Sequence, residues 1–332
     1  MPHRFLIKDI ALQAGLGPAT VDRVLNGRGG VRRQTADRVR RAIAELEAQA
    51  AQLALSGRKM MIDLVVEAPQ SFLDALDGAL ALELPLLGPP VVRARADLRA
   101  RFNVEGIAAQ LDRIGRRGSH GVILMAPDAE PVAAAVARLT GRGIPVVTLA
   151  SDMPDSGRIA YVGLDNARAG RTAAWFMGRW LRGGAARVLV TLRNPRFRGE
   201  GERLEAFRAA LPAYLPRATV DVLREDGDGP AFDAAVARAA ARPIDALYSI
   251  GGGNRRLLAQ VEARQARPLL IAHDLDPENH ALTAEGRIDL LIYHDFRADL
   301  RAACQLFVAV MEKRPLPPLA GAALHLLAPP LA

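Results

Sequence analysis

From Met61 onward, short apolar runs alternate with stretches of helical period, and this alternation limits the folds open to the chain. The apolar runs read MIDLVV, GVILMAP (Gly121–Pro127), IPVVTLA (Ile144–Ala150), IAYVGL, ARVLVTL, ATVDVL, ALYSI, PLLIAHDL and DLLIYH. Helical stretches such as Pro131–Leu139, Ala167–Leu181, Leu204–Leu211 and Phe232–Ala241 separate most of them. A run apolar on both faces belongs in a buried parallel strand. Parallel strands need helical crossovers to return the chain, so the pattern implies parallel sheets covered by helices. There are too many runs for one sheet at this length, and two open-sheet subdomains follow. Ligands of such sheets bind beyond the carboxyl ends of the strands.

The first sixty residues obey a different period. Ile7, Ile10, Ala11 and Ala14 fall on one helix face. Gly15 suits the left-handed residue just past a helix, and Gly17-Pro18 suits the cap and first position of another. Val21, Val24 and Leu25 form the inner face of that second helix. Ala36, Val39, Ala42, Ile43 and Leu46 form the face of a third. Three short helices with a tight corner make a helix-turn-helix unit, which presents the start of its second helix to base edges in the major groove. The charge agrees. Residues 1–60 hold 11 Lys/Arg against 5 Asp/Glu, and the rest of the chain 33 against 31, so most of the net +8 sits on this unit. Such an excess is the footprint expected for a phosphate backbone.

The stretch IKDIALQAGLGPATVDRVLNG (Ile7–Gly27), followed by Val31 and Thr35, resembles the headpiece of the LacI/GalR family of bacterial repressors. That family's pattern runs D-(I/V)-A-x-x-A-G-(V/L)-S-x-x-T-V-S-R-(V/A)-L-N. The resemblance implies that Pro18–Leu25 is the recognition helix, with Pro18, Ala19 and Arg23 at base-reading positions. Thr20 and Asn26 would hold the DNA backbone, and Thr35 is a further DNA-binding position. Two positions depart from the pattern. Gly17 and Asp22 stand where the family has Ser, removing a side-chain cap and placing a carboxylate near a phosphate unless Arg23 or Arg28 screens it. Pro18 and Ala19 offer only apolar readout, so Arg23 is the strongest base-contact candidate. The family's hinge segment is replaced by EAQAAQLALSGRKMMIDL, without its Tyr or Pro. Leu55, with Leu53 second, is placed as the minor-groove wedge; alternatively the third helix simply runs on through this Ala-rich stretch.

The large region matches the family too, whose regulatory part resembles periplasmic sugar-binding proteins of type I. IPVVTLASDMPDSGRIAYVGLDNARAGRTAA (Ile144–Ala174) carries the resemblance. The division expected is a headpiece at 1–48, a hinge or linker at 49–60 and an effector-binding and dimerisation domain at 61–332. Within it, the N-subdomain takes 61–161 and 291–317, and the C-subdomain 162–290 and 318–332. Candidate ligand-binding residues lie at strand ends: Asp152, Asn254, Asp274 and His294, with Arg198 in the loop after VLVTLR and Phe72 after the first strand. A small shift would substitute Arg203 for Arg198. Carboxylates, amides and arginine supply acceptors and donors to adjacent hydroxyls, as a polyol requires.

Enzyme motifs are missing: no G-x-S-x-G, no G-x-x-x-x-G-K-[ST] and no H-E-x-x-H occurs. The Gly251–Asn254 turn is a weak phosphate signal. His273–Asp276, HDLD, lacks partners at metal-ligand spacing. Neither catalysis, nor a cofactor, nor a metal is expected. Cys304 is the sole cysteine, which fits a reducing cytoplasm. No apolar run has signal-peptide or membrane-spanning character. The expectation is a cytoplasmic, ligand-responsive repressor, a homodimer or possible tetramer on a palindromic operator. The rival is a transport solute-binding protein.

Overall fold

The computed structural model describes residues 5–28, 30–55, 59–88, 90–182, 184–193, 196–225, 229–319 and 323–331, without the side chains of 48, 49, 51–55 and 331. The chain divides into two compact units, broadly the first sixty residues and the remainder.

The small unit holds three helices, α1 (Ile7–Ala14), α2 (Pro18–Leu25) and α3 (Arg33–Leu55). Ile10, Ala11, Val21 and Val39 are buried at its centre, ringed by Leu16, Val24, Leu25 and Ile43. The corner after α1 is closed by Gly15 at φ 61, after which the Leu16 N–H donates to the Ala11 carbonyl at 2.9 Å. Arg38 of α3 donates to the Ala14 carbonyl at 2.8 Å, satisfying a carbonyl that α1 itself leaves open. Gly17 caps α2 without a side-chain bond, and Pro18 opens the helix. α3 continues to Leu55, so the Ala-rich segment extends the third helix.

The large unit contains two sheets. The first, ordered β2-β1-β3-β4-β5, comprises β1 (Lys59–Glu67), β2 (Val91–Arg99), β3 (Gly121–Met125), β4 (Val146–Leu149) and β5 (Ala160–Val162). The second, ordered β11-β10-β9-β8-β6-β7, comprises β6 (Arg187–Leu192), β7 (Thr219–Arg224), β8 (Ala246–Ser249), β9 (Leu269–His273), β10 (Leu290–Tyr293) and β11 (His325–Leu327). β1, β3, β4 and β5 pair in parallel, as do β6 to β10; β11 runs antiparallel to β10. Helices α4 (Gln70–Glu83), α5 (Val104–Arg117) and α6 (Glu130–Gly141) follow the strands of the first sheet. Helices α7 (Asn166–Leu181), α8 (Arg198–Ala210), α9 (Gly229–Ala239), α10 (Asn254–Glu262) and α11 (Pro277–Ala284) belong to the second, and α12 (Phe296–Met311) packs back on α4. This is the expected two-subdomain α/β arrangement of the type I periplasmic-binding-protein kind, behind a helical headpiece.

Three details differ from the sequence reading. β2 and β11 were not expected. VVRARADLR is an edge strand whose outward positions carry charge, and three residues of β11 are too few to show a period. The return to the first subdomain falls after β10, a few residues beyond the expected 291, because β10 is held on both sides by strands of the second sheet. α12 then seats on the first sheet through Phe307, whose ring would lie 2.5 Å from a Cβ at Gly121; only glycine admits it there.

Candidate functional site

In the helical unit, the start of α2 stands open. Pro18 and Ala19 are exposed and Thr20 half-buried, while Arg23 is exposed one turn on. The Arg23 Nε donates to the Ala19 carbonyl at 3.3 Å, laying the side chain back along the exposed face. Asp22 is neutralised locally: Arg28 approaches it at 2.9 Å, and the Asn26 amide donates to its Oδ1 at 2.8 Å. Asn26 is therefore occupied in closing the end of α2. Thr35 is half-buried in the first turn of α3, and Leu55 ends that helix with its side chain outside the described residues. With Arg32, Arg33, Arg40 and Arg41 also exposed, the unit offers cations around a short apolar reading edge.

The large unit opens a cleft of about 1180 Å³ between the carboxyl ends of its two sheets. This exceeds the usual ~300–1,000 Å³ of small-molecule pockets and suits an open cleft. From the first sheet come Glu67 at the end of β1, Phe72 on α4, Phe102 before α5 and Ser151 after β4. Across it lie Arg193, Arg196 and Phe197 after β6, Arg203 on α8, the Gly251–Gly253 turn after β8, and Asp274 after β9. Parallel strands all point the same way, so β1, β3 and β4 of one sheet and β6, β8 and β9 of the other bring their carboxyl ends to this rim, and helix N-termini gather there with them. Arg196 pairs with Glu67, which is buried to 2 % exposure, so a charge from each subdomain meets inside the cleft.

Asp274 sits in the left-handed region at φ 68, and its Oδ1 is buried without a hydrogen-bond partner among the described residues. Such backbone strain persists only where the surroundings impose it, and it gathers at binding sites. Asn279 imposes it here, donating to the carbonyls of His273 at 3.1 Å and Asp274 at 2.8 Å. His273 is fully buried behind this turn and bonded to the Tyr248 hydroxyl at 2.8 Å. Burial, with the nearby Arg203 and His294, holds its imidazole well below the ordinary histidine range.

Residues 6–47 match the profile of the bacterial regulatory proteins of the lacI family, and residues 93–315 match a periplasmic binding protein domain. The chain belongs to the lacI family of regulators. Among solved structures, 82 % of the regulator matches 98 % of GanP, a glucose-galactose binding protein from Geobacillus stearothermophilus, at 18 % identity and a TM-score of 0.70. A solute-binding protein from Agrobacterium vitis bound with alpha-D-tagatopyranose gives 14 % identity and a TM-score of 0.72, with coverages of 82 % and 95 %. A protein from Bacteroides fragilis described as a LacI transcriptional regulator gives 13 % and 0.67, over 82 % and 98 %. At these identities the likeness establishes the fold. No curated protein matches the regulator's sequence.

Of the six ligand candidates read from strand ends, Phe72 and Asp274 line the cleft and four do not. Asp152 is turned into its own loop, accepting from Thr148 and the Met153 N–H, both at 2.8 Å, and from the Arg158 guanidinium at 2.6 Å. Burial alone would raise its pKa, but these bonds outweigh it and hold the carboxyl below the usual range. Arg198 lies on the outside of α8, paired with Glu202 at 2.7 Å and Asp128 at 3.7 Å; Arg203, further along α8, reaches the cleft instead. Asn254 is wholly buried behind the wall and donates to Asn279 Oδ1 at 2.7 Å, so it supports the Asp274 turn from behind. His294 is bonded to Asp299 and stacked edge-on with Phe296 at 4.7 Å, where the chain crosses between subdomains.

The sequence reading missed Glu67, Arg193, Arg196, His273 and Asn279. Glu67 carried a usable signal, a carboxylate directly closing a buried apolar run. Asn279 carried none, since it lies inside α11 and matters only through the turn it reaches. Among the described residues no group of three or more metal-ligating side chains converges, and no helix is long and apolar enough to cross a membrane.

Proposed function

We propose that the regulator is a cytoplasmic repressor whose operator affinity is set by a small sugar or sugar derivative bound in the cleft. The observation that carries this reading is the joining, in one chain, of a lacI-family helix-turn-helix with an exposed recognition edge to a binding-protein cleft containing the strained Asp274. The structural neighbours include a glucose-galactose binding protein and solute-binding proteins in complex with D-arabinose and alpha-D-tagatopyranose, which favours a carbohydrate. One headpiece contacts few phosphates and binds weakly. Two on a palindrome, with half-sites about 34–36 Å apart, bind together, so the working form is a homodimer. Effector binding that favours one disposition of the subdomains shifts DNA affinity by its preference for that state. No catalytic, cofactor or metal chemistry enters the scheme.

The neighbours described as transporter solute-binding proteins keep a solute-binding role as the second reading. Fluorescence anisotropy of the full chain on duplex DNA from upstream of its own gene, over a range of salt, separates the two. Specific binding relieved or strengthened by a sugar is the expected result. Binding that never exceeds that to random duplex at any salt would sink the repressor reading and leave a ligand-binding module.

A further inference from the structure

The charges of the cleft are unevenly matched, and this narrows the chemistry of its ligand; the inference rests on the cleft being the effector site. Nearly every carboxylate there already has a partner. Glu67 takes Arg196, Glu225 takes Arg193 and Arg256 at 3.6 Å each, and Glu200 accepts the Arg193 N–H at 3.0 Å. Asp276 caps α11 by accepting from the Asn279 N–H at 2.7 Å. Asp274 Oδ1 is buried in the cleft wall with no hydrogen-bond partner among the described residues, and no cation is paired with Asp274 there.

Arg203 presents the opposite case. It is only 6 % exposed, yet lines the cleft, and its bonds go to neutral acceptors: Asn166 Oδ1 at 2.8 Å and the Ile250 carbonyl at 3.4 Å. Among the described residues no carboxylate stands within ion-pair distance of it. A buried guanidinium lacking a counter-charge is costly to hold, and such a cost is relieved by an anion that arrives with the ligand. The surroundings suit one. Ile250 leads directly into Gly251–Gly253, where Gly252 and Gly253 take φ 81 and 74 and the first turn of α10 begins. N–H groups there have no acceptor within the helix, and the helix dipole is positive at this end. A Cβ at Gly251 would lie 2.4 Å from the Arg193 backbone nitrogen, so the close approach of these two loops needs glycine. Arg203 and Asp274 do not pair with each other, which leaves both open to different groups of one molecule.

We propose that the effector is an anionic polyol, a sugar acid or a sugar phosphate. Its carboxylate or phosphate is held by Arg203 beside the Gly251–Gly253 turn, while its hydroxyls donate to Asp274.

The test is calorimetric titration of the full chain with matched pairs sharing one carbon skeleton. D-Gluconate is set against D-glucitol, D-glucuronate against D-glucose, and D-glucose 6-phosphate against D-glucose, with the pentose and galactose series alongside. At least one anionic member should bind about tenfold or more tightly than its neutral parent. A response to the acids only, or to the phosphate esters only, identifies the source of the anion. Because Arg203 is buried, Arg203→Lys, which retains the charge, is measured beside Arg203→Met. Methionine should weaken the anion about 10- to 100-fold and the neutral parent by clearly less, so that the preference for the anion shrinks, with lysine intermediate. Neutral sugars binding as tightly as the anions, or no anion binding at millimolar concentration, would overturn the proposal. Operator binding read on the same panel separates the two readings. Neutral sugars that shift operator affinity keep the repressor and discard the anion. Anions that bind the cleft without shifting operator affinity do the reverse.

Discussion

Arg28 holds the carboxylate of Asp22 at 2.9 Å on the side of the recognition helix. Asp22 replaces a serine of the family pattern, and without its cation it would face a phosphate as a bare negative charge. Arg28→Ala is expected to weaken operator affinity about 3- to 10-fold, and Asp22→Ser in the same chain to restore it. The pair is largely exposed, so headpiece stability should change by less than about 0.5 kcal/mol in either variant. Anisotropy at two salt concentrations, with thermal unfolding as control, measures both.

Arg23 is the recognition-helix side chain with the donors to read guanine, since Pro18 and Ala19 have none to offer. Arg23→Ala should cost about 1–3 kcal/mol on operator DNA and little on random duplex, with effector titrations unchanged. If effector binding is lost along with operator preference, the assignment of separate sites is wrong.

Asp274 combines a strained backbone with a carboxylate oxygen that has no partner among the described residues, so its two roles can be separated by substitution. Asp274→Gly relieves the φ of 68 and should hold stability constant or raise it by up to about 1 kcal/mol, while abolishing the response of operator binding to effector. Asp274→Asn should lose the response without the gain. A normal effector response in Asp274→Gly would misplace the pocket.

His273 is buried with its pKa held well below the ordinary value, so the unfolded chain takes up a proton on this group before the folded chain does. Its contribution to stability is therefore fully present above pH ~6.5 and is lost as pH falls from there toward the folded value. The unfolding temperature of the large unit should decline on acidification through this window. His273→Gln, which keeps a polar partner for Tyr248, should flatten that decline. Parallel curves for the two proteins would show that another group controls it.

Gly121 accepts the Phe307 ring in the space a side chain would need. Gly121→Ala should destabilise the large unit by about 1–3 kcal/mol through overpacking, and Phe307→Leu in the same chain should recover part of the loss. Denaturant unfolding of the single and double variants gives the coupling directly.

The local signals were strong where a pattern repeats within one element. Ile10, Val21 and Val39 mark three helices, Gly15 and Pro18 mark the corner between the first two, and the apolar runs from MIDLVV onward mark parallel strands. These readings succeed because a helix face or a strand is decided by neighbours a few residues away. β2 escaped because an edge strand tolerates charge at alternate positions, and its nine residues resemble an Arg-rich loop.

The cleft was legible only in outline. Strand ends could be named, and Phe72 and Asp274 do reach the rim, but the direction of each side chain was not contained in its position along the chain. Asp152 had Arg158 and Thr148 within its own loop, and Arg198 had Glu202 one turn away, so local partners claimed both. Arg203, Glu67 and Asn279 gained their meaning from residues 25 to 129 positions distant, namely Asn166, Arg196 and Asn254. The sequence alone determined the headpiece, the alternation and the family, because each rests on short-range periodicity and spacing. Tertiary structure alone decided which charges face the cleft and which of them remain unmatched, because burial and pairing are properties of contacts the folded chain creates.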